Sequence, residues 1–594
     1  MSDVTFSLIG GSNIQIKSNE KINKLAHLIN STFDPDDIQL FDIEYPVFLD
    51  QKENLFSYLE FYKIDYEIDA RLSRLLSNMP MFYTEVAKEN VEKDEIIQKL
   101  EDGGFTRRLT DNQINNLSKI CKLRCSADFS VPGAGKTTEA LAYYFFHRTN
   151  PSDKLFVVSP INAFLSWDKE IKKCIDSSAE IIKLRGSINS IRDKISDSTK
   201  QFFITNYESL RSPEKYQHFE KFLLDNPDTT VVIDESHRMK GAVVSQSLKR
   251  MSSLVTKKLL LTGTPMPQGI EDLKPQFDFL YPAEKLKFGD DYLDKFQSIY
   301  VRTTKSDLGL YPINYPPPIM VKPYPAFDDF YQNYIRKPFN QGASLEEILQ
   351  VSSFKLAVLK LLKVMSNPSS YLDVFASIDP KLYEGIKQEG NGAKFDILMH
   401  RIKELLKGSQ KVLVWSYFTH SVDSIANELN DFNIKNVVLK GGIPSENEGA
   451  NLVLEEESID EIKTRERRIL EFQEDPECKV MVANPASAAE SMSLHEVCDH
   501  AIYLDRTFNA GQYLQSQDRI HRLIEKDKER RKTIEIIQLD TPGSLDFRVN
   551  ERLNEKINYM GKFLEDDSLI NLSEFKNPDE DDDYKELNNT GLFK

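Results

Sequence analysis

The chain is predicted to be an α/β protein with two tandem modules, each a parallel sheet wrapped by helices. A helical region connects them and a small α/β extension precedes them. Three observations predict this. Short apolar runs of buried-strand length alternate with helical stretches in two separate regions, about 105–285 and about 411–539. A phosphate-binding loop pattern heads the first region, and an Asp-Glu pair follows a strand-like run further down it. The length, 594 residues, suits about three to five compact units.

Residues 1–101 carry no chemical motif and are read as an accessory domain. Within them NLFSYLEFYKIDYEIDARLSRLLSNM (54–79) spaces its apolar residues as a helix does, so a mixed α/β region ending in helices is expected. The pair Gly103-Gly104 is the expected boundary. In the first lobe, 102–300, strands are expected at KLFVVS (154–159), QFFITN (201–206), TTVVIDE (229–235) and KKLLLTG (257–263). A proline-rich segment, YPINYPPPI (311–319), opens a mainly helical connector over 301–390. The second lobe, 391–560, shows KVLVWS (411–416), NVVLK (436–440), KVMVAN (479–484), HAIYLD (500–505) and TIEIIQL (533–539). The acidic remainder, 561–594, is expected to be disordered.

Composition narrows the function classes. The hydrophobic fraction of 40% and charged fraction of 28% are those of a soluble globular protein. The formal net charge of −17 excludes a surface that is basic all over, but leaves room for a local basic groove. Much of the excess acid sits in 446–461 and in the run 579–583. No apolar run reaches the ~18–20 residues of a membrane span, and the opening MSDVTFSLIGG lacks a basic leader with an apolar stretch. The five cysteines, at 121, 125, 174, 478 and 498, are too scattered for a disulfide framework. A cytoplasmic protein is therefore expected.

The segment SVPGAGKTTEA (130–140) has the residues a phosphate cradle needs. Glycines let backbone N–H groups approach phosphate oxygens, a lysine reaches the β- and γ-phosphates, and a Ser/Thr hydroxyl serves Mg²⁺. Gly133, Gly135, Lys136 and Thr137 supply these, with Ser130, Ala134 and Thr138 completing the loop. Ser130 stands where the full pattern has its first glycine, which requires its φ to be negative. In VVIDESH (231–237), Asp234 at a strand end suits Mg²⁺ and Glu235 suits orienting the attacking water. In QSQDRIHR (515–522), Arg519 and Arg522 share one face if the segment is helical, with Gln515 one turn earlier. Arginines brought from another domain stabilise charge on a transferring phosphoryl group; the alternative is an ordinary solvated helix face. No His/Cys cluster has metal-ligand spacing, and Cys121 and Cys125 lack a second pair.

In order along 105–555, these segments resemble superfamily 2 helicases and translocases, and more narrowly the Swi/Snf-related family of DNA-dependent ATPases. RRLTDNQINNL (107–117), KLFVVSPINAFLSWDKEI (154–171), FFITNYESL (202–210), VVIDESHRMKG (231–241), LLLTGTPMPQGIEDL (259–273), RTTK (302–305), KVLVWSYFTHSVD (411–423) and YLDRTFNAGQYLQ (503–515) carry the likeness. LTGTP is its most diagnostic part. The resemblance implies two tandem RecA-like (P-loop) lobes, ATP and Mg²⁺ as cofactors, and DNA, double-stranded or branched, as partner. It implies that Gln113 reads adenine, that Lys136, Asp234, Glu235, Arg519 and Arg522 carry catalysis, and that Thr262 and Thr264 relay nucleotide state. Arg238, Lys240, Arg302 and Lys305 are candidate DNA-backbone contacts; the alternative for each is a solvated surface charge.

The sequence departs from the family in SAAESMSLH (487–495), where Ala488, Ala489 and Ser491 replace loop glycines. The mixed-charge run 525–532 reads as an exposed segment, and Trp167 as a packing residue. The expected function is an ATP-driven, DNA-stimulated translocase that remodels DNA or protein–DNA complexes. The alternatives are a strand-separating or RNA-acting helicase of the same superfamily and a weakly hydrolysing nucleotide-responsive binding module.

Overall fold

The computed structural model describes residues 3–9, 13–18, 40–197, 199–284, 290–408, 410–443, 464–488, 492–522, 533–566 and 569. Ala489, Ser491, the acidic stretch 446–461, the run 525–532 and the acidic run 579–583 lie outside them, as does the side chain of Ala488. Two compact units emerge: Met1–Met266 with Ile270–Thr304, and Pro267–Gly269 with Lys305–Lys594.

The first unit opens with a small sheet in the order Leu40–Glu44, Asn13–Ser18, Val4–Ile9, Tyr66–Ile68. Its first three strands are antiparallel neighbours and the last is parallel to Val4–Ile9. Phe6 and Ile16 are register partners, as are Ile14 and Ile43, and all four are buried. The helix Tyr45–Phe61, started by Pro46 in its first turn, contributes the buried residues Phe48, Leu55 and Leu59. The expected helical stretch 54–79 is interrupted. Lys63 adopts a left-handed φ of 53°, the strand Tyr66–Ile68 joins the sheet, and the helix Ala70–Asn78 restarts on the Asp69 cap. Gly103 and Gly104 close the helix Lys93–Asp102. Ile96 and Leu100 of that helix share one core with Leu117, Tyr144 and Trp167, so the pair ends a helix inside a packed core.

The main sheet of this unit has seven strands, all parallel, in the order Tyr300–Val301, Cys125–Asp128, Lys257–Leu261, Thr230–Asp234, Leu155–Val158, Phe202–Thr205, Ile181–Lys183. Four of these were expected from apolar runs. Cys125–Asp128 has no such run (CSAD), yet all four residues are buried because strands flank it on both sides. Leu261 pairs with both Asp128 and Asp234. Three strands therefore end level, and the loops after them open on one edge of the sheet.

The second unit carries a six-stranded parallel sheet in the order Ile319–Met320, Glu535–Asp540, His500–Tyr503, Val412–Trp415, Val480–Ala483, Asn436–Leu439. Both parallel sheets, each with helical crossovers, fit the expected pair of RecA-like lobes. The connector helices do not stand apart. Phe330, Leu361, Phe375 and Ile386 form one core with Phe418, Phe508, Leu545 and Val549, so this helical layer belongs to the second unit. The final helix, Leu545–Phe563, extends past the expected end of the lobe at 560. Asp505 ties the layers together: its carboxylate accepts from the Ser366 and Ser416 hydroxyls at 2.6 Å each and from the Tyr417 N–H at 2.7 Å. All five cysteines are free and buried, and among the described residues no helix is long and apolar enough to cross a membrane.

Candidate nucleotide site

The loop after Cys125–Asp128 leads into the helix Lys136–His147. Gly133 (φ +91°) and Gly135 (φ +92°) occupy left-handed conformations that residues with a Cβ avoid. A Cβ on Gly135 would meet Gln113 Nε2 at 2.4 Å, so the glycine there is required by space as well as by φ. Ser130 is not among the positive-φ residues, which meets the condition its sequence sets. Its hydroxyl is fully buried and accepts the Thr303 N–H at 2.9 Å, while its own N–H donates to Asp128 Oδ1 at 2.9 Å. The Lys136 ammonium rests on the Ser130 carbonyl at 2.8 Å. Ala134 lies within the turn and is buried.

Gln113 is fixed against this loop. It closes a capping box with Thr110, its Oε1 accepting the Thr110 N–H at 2.9 Å, and its Nε2 donates to the Gly135 carbonyl at 3.4 Å. Thr137 and Thr138 diverge. Thr137 is half-buried at the helix start. Thr138 is buried and bonds to Glu170, which also pairs with Arg107, so it braces the helix from behind the loop. Two further acids sit behind the loop. Asp128 and Glu139 are buried, each with one carboxylate oxygen lacking a partner, and burial raises both pKa values. The Lys136 charge opposes that rise at Asp128. Asn116 links Glu139 Oε1 (3.3 Å) to Thr303 Oγ1 (2.9 Å).

Asp234 ends its strand level with Asp128. Its Oδ2 accepts from Ser159 Oγ at 3.0 Å and from Trp167 Nε1 at 2.9 Å, so Trp167 packs as expected and also orients the acid. Burial, then the adjacent Glu235 carboxylate, raises the Asp234 pKa. Glu235 follows with φ 54° and ψ 52°, and its Oε2 is buried without a hydrogen-bond partner. His237 Nδ1 lies 3.5 Å from that oxygen and 2.9 Å from Thr262 Oγ1. Thr262 Oγ1 accepts the Thr264 N–H at 3.1 Å. Ser236 Oγ donates to Gln276 Oε1 at 2.8 Å, and Gln276 Nε2 donates to the Pro265 carbonyl at 2.8 Å. The first unit thus brings together Gln113, the phosphate loop, Asp234, Glu235, Thr262 and Thr264. Asn116, Glu139, Trp167, His237 and Gln276 were not predicted as members of this network. Their neighbours are distant in sequence, so no local pattern announces them.

Of the four candidate cations for DNA, Lys240 pairs with Asp272 at 3.1 Å while 44% of its side chain is exposed. Arg238 closes the turn after Glu235, its N–H donating to the Glu235 carbonyl at 2.9 Å. Arg302 points inward and bonds to the carbonyls of Phe129 and Gly263. Lys305 forms a 2.7 Å ion pair with Asp518 and is 17% exposed.

In the second unit the helix Ala510–Gln517 ends before Arg519, so Arg519 and Arg522 lie in the turn after it and do not share a helix face. Arg519 Nε donates to the Gln515 carbonyl at 2.9 Å and Nη1 to the Met492 carbonyl at 3.2 Å. Arg522 Nε donates to the Asp518 carbonyl at 2.8 Å. Gln515 and Arg519 are both buried. Among the described residues no group of three or more His, Cys, Asp or Glu forms a metal cage.

Residues 130–309 match the SNF2-related domain. The DNA repair and recombination protein RDH54 of Saccharomyces cerevisiae is 25% identical over 466 residues, covering 70% of this chain and 47% of that protein. An uncharacterized ATP-dependent helicase, MG018 of Mycoplasma genitalium, is 23% identical over 540 residues, covering 84% and 48%. The chain spans about half the length of these curated relatives. Among solved structures, a Sulfolobus solfataricus SWI2/SNF2 ATPase core in complex with dsDNA aligns at 18% identity and TM-score 0.32, covering 79% of this chain and 98% of that one. The matched domain begins at Ser130 of the phosphate loop and takes in Asp234, Glu235, Thr262 and Thr264.

Proposed function

We propose that the chain is an ATP hydrolase, stimulated by DNA, that translocates on double-stranded or branched DNA and remodels DNA or protein–DNA complexes. The observation that carries this reading is the level ending of two strands on one sheet edge. One delivers the phosphate loop with Lys136, and the other delivers Asp234 and Glu235. The SNF2-related match over 130–309 supports it.

The residues present fit ATP and Mg²⁺. Gly133 and Gly135 hold the backbone shape of an anion cradle, and Lys136 presently spends its charge on a neutral carbonyl that a phosphate would replace. Asp234 Oδ2 is saturated by Ser159 and Trp167, which leaves its other oxygen for a metal-bound water. Thr137 is the hydroxyl at the helix start suited to the ion. A bound Mg²⁺ would neutralise developing phosphate charge. Glu235 then orients water toward the γ-phosphate, and Arg519 and Arg522 are assigned to stabilise the transferring group. Gln113, already bonded to the loop, is assigned to adenine. Through Ser236, Gln276 and the His237–Thr262 contact, a change at Glu235 reaches the LTGTP segment, which suits Thr262 and Thr264 for coupling. For DNA-backbone contact we favour Arg238 and Lys240, on the turn after Glu235. Arg302 and Lys305 are held by protein partners and are assigned to support. With this reading goes a cytoplasmic location, nucleoid-associated if the source is bacterial.

The test is steady-state ATPase activity at low salt without nucleic acid and with single-stranded DNA, duplex DNA, branched DNA or RNA in turn. Strong stimulation by duplex or branched DNA that fades as salt rises is expected. Stimulation by RNA alone, or equal weak turnover throughout, overturns the reading.

A further inference from the structure

The acid assigned to water activation sits in a backbone conformation that L-residues with a side chain avoid, and a tyrosine hydroxyl pins that conformation. Glu235 has φ 54° and ψ 52°. Tyr207 opens the short helix Tyr207–Leu210 after the strand Phe202–Thr205. Leu155–Val158 lies between that strand and Thr230–Asp234. The Tyr207 ring therefore reaches over a whole strand. Its hydroxyl donates to the Asp234 carbonyl at 2.7 Å and to the Glu235 carbonyl at 3.1 Å. These two carbonyls belong to the peptide groups on either side of the Glu235 Cα. One shared donor between them fixes both planes, and the two planes set the direction in which the Glu235 side chain leaves the backbone.

The surroundings leave that task to Tyr207. The Asp234 side chain is held from elsewhere, by Ser159 and Trp167, and those contacts do not constrain Glu235. Glu235 Oε2 has no hydrogen bond of its own, and His237 Nδ1 lies 3.5 Å from it. The carboxylate is thus oriented by its backbone. The Arg238 N–H is the second donor on the Glu235 carbonyl, at 2.9 Å, but it lies in the same turn and moves with it. Tyr207 itself is buried, with a ring packed in the lobe and a single hydroxyl to give.

We infer that Tyr207 is a positioning residue for hydrolysis: its hydroxyl holds Glu235 in the left-handed conformation that aims the carboxylate, without touching nucleotide. This rests on the assignment of Glu235 as the water-orienting acid. A phenylalanine keeps the ring and deletes the one donor, so Tyr207→Phe isolates the hydroxyl.

The experiment compares the full chain, Tyr207→Phe and Glu235→Gln. It measures DNA-stimulated kcat, KM for ATP, affinity for a fluorescent ATP analogue with Mg²⁺, and the thermal midpoint. Tyr207→Phe is expected to lower kcat about tenfold or more, with KM, analogue affinity and midpoint within twofold or a few degrees of the parent. An unchanged kcat in Tyr207→Phe alongside an inactive Glu235→Gln overturns the inference alone. Loss of analogue affinity or of the folded state together with kcat also overturns it, since the hydroxyl would then serve the lobe at large. Undiminished turnover in Glu235→Gln sinks the assignment of that acid and this inference with it.

Discussion

His237 Nδ1 and Thr262 Oγ1 lie 2.9 Å apart, joining the turn after Glu235 to the segment LTGTP, 25 residues later in sequence. Burial pushes the His237 pKa down to about 4, with the neighbouring Arg238 charge adding to the effect. The ring is neutral at pH 7, and the Thr262 hydroxyl hydrogen-bonds to it, in the direction the ring tautomer sets, while accepting from the Thr264 N–H. Thr262→Val removes both roles and leaves a buried ring nitrogen unsatisfied. Basal ATP turnover is expected to persist, whereas the ratio of duplex-stimulated to basal turnover falls several-fold. Stability drops by about 1–3 kcal/mol. Paired ATPase assays and a urea titration check both parts.

Lys136→Ala and Glu235→Gln separate binding from chemistry. The first removes the ammonium that a phosphate would claim from the Ser130 carbonyl, so both nucleotide affinity and turnover are lost. The second keeps affinity and loses turnover. Equilibrium binding of a fluorescent ATP analogue beside the turnover assay distinguishes them, and appreciable hydrolysis by either variant contradicts the site.

Ser130 bears on stability through one contact. Its hydroxyl is the acceptor for the buried Thr303 N–H. Ser130→Ala orphans that donor and is expected to cost about 1–3 kcal/mol, although alanine is free to take the same φ. An unchanged denaturation midpoint would show that Thr303 finds another partner.

In the second unit Lys394 and Asp546 form a buried ion pair that joins the helix Ala393–Lys407 to the helix Leu545–Phe563. Removing one charge strands the other. Lys394→Met is therefore expected to destabilise by about 3–5 kcal/mol, and Lys394→Met with Asp546→Leu to recover most of it. Chemical denaturation of the three proteins gives the comparison.

His147 supplies a pH test. It packs against Tyr143, with ring centroids 4.3 Å apart, and its Nε2 is buried without a partner. Burial, reinforced by Lys257 and other cations, lowers its pKa to about 3. The unfolded chain takes up this proton below about pH 6.5 and the folded chain does not until about pH 3, so stability is lost as pH falls through that window. His147→Phe does not titrate. Near pH 7 it is expected to match the parent within ~1 kcal/mol, and near pH 4.5 to be relatively more stable by about 2–3 kcal/mol. Denaturant midpoints at the two pH values measure the difference.

The parts legible in the sequence are those where a local pattern and a fold rule coincide. Runs such as TTVVIDE and KVLVWS became the strands Thr230–Asp234 and Val412–Trp415, because strands buried on both faces are apolar throughout. The phosphate loop was legible because Gly133 and Gly135 meet a conformational need that few residues meet. Cys125–Asp128 was not, since its burial comes from its neighbours and its residues are small or polar. Nor were Asn116, Glu139 and Gln276, polar residues on helices whose partners lie 187, 23 and 40 positions away. The break at Lys63 escaped for another reason: one left-handed residue in an otherwise helical pattern decides it, and lysine does not advertise that conformation.

The five sequestered thiols give the molecule a built-in reporter of its own opening. Burial pushes Cys125 and Cys478 up to about 11 and Cys174 up to about 12, so little thiolate is present at neutral pH and alkylating reagents must wait for local unfolding. Cys121, Cys125 and Cys174 lie in the first unit, and Cys478 and Cys498 in the second. Site-resolved alkylation rates, with and without nucleotide, would therefore time the breathing of each lobe separately in the unmodified chain, with no probe introduced.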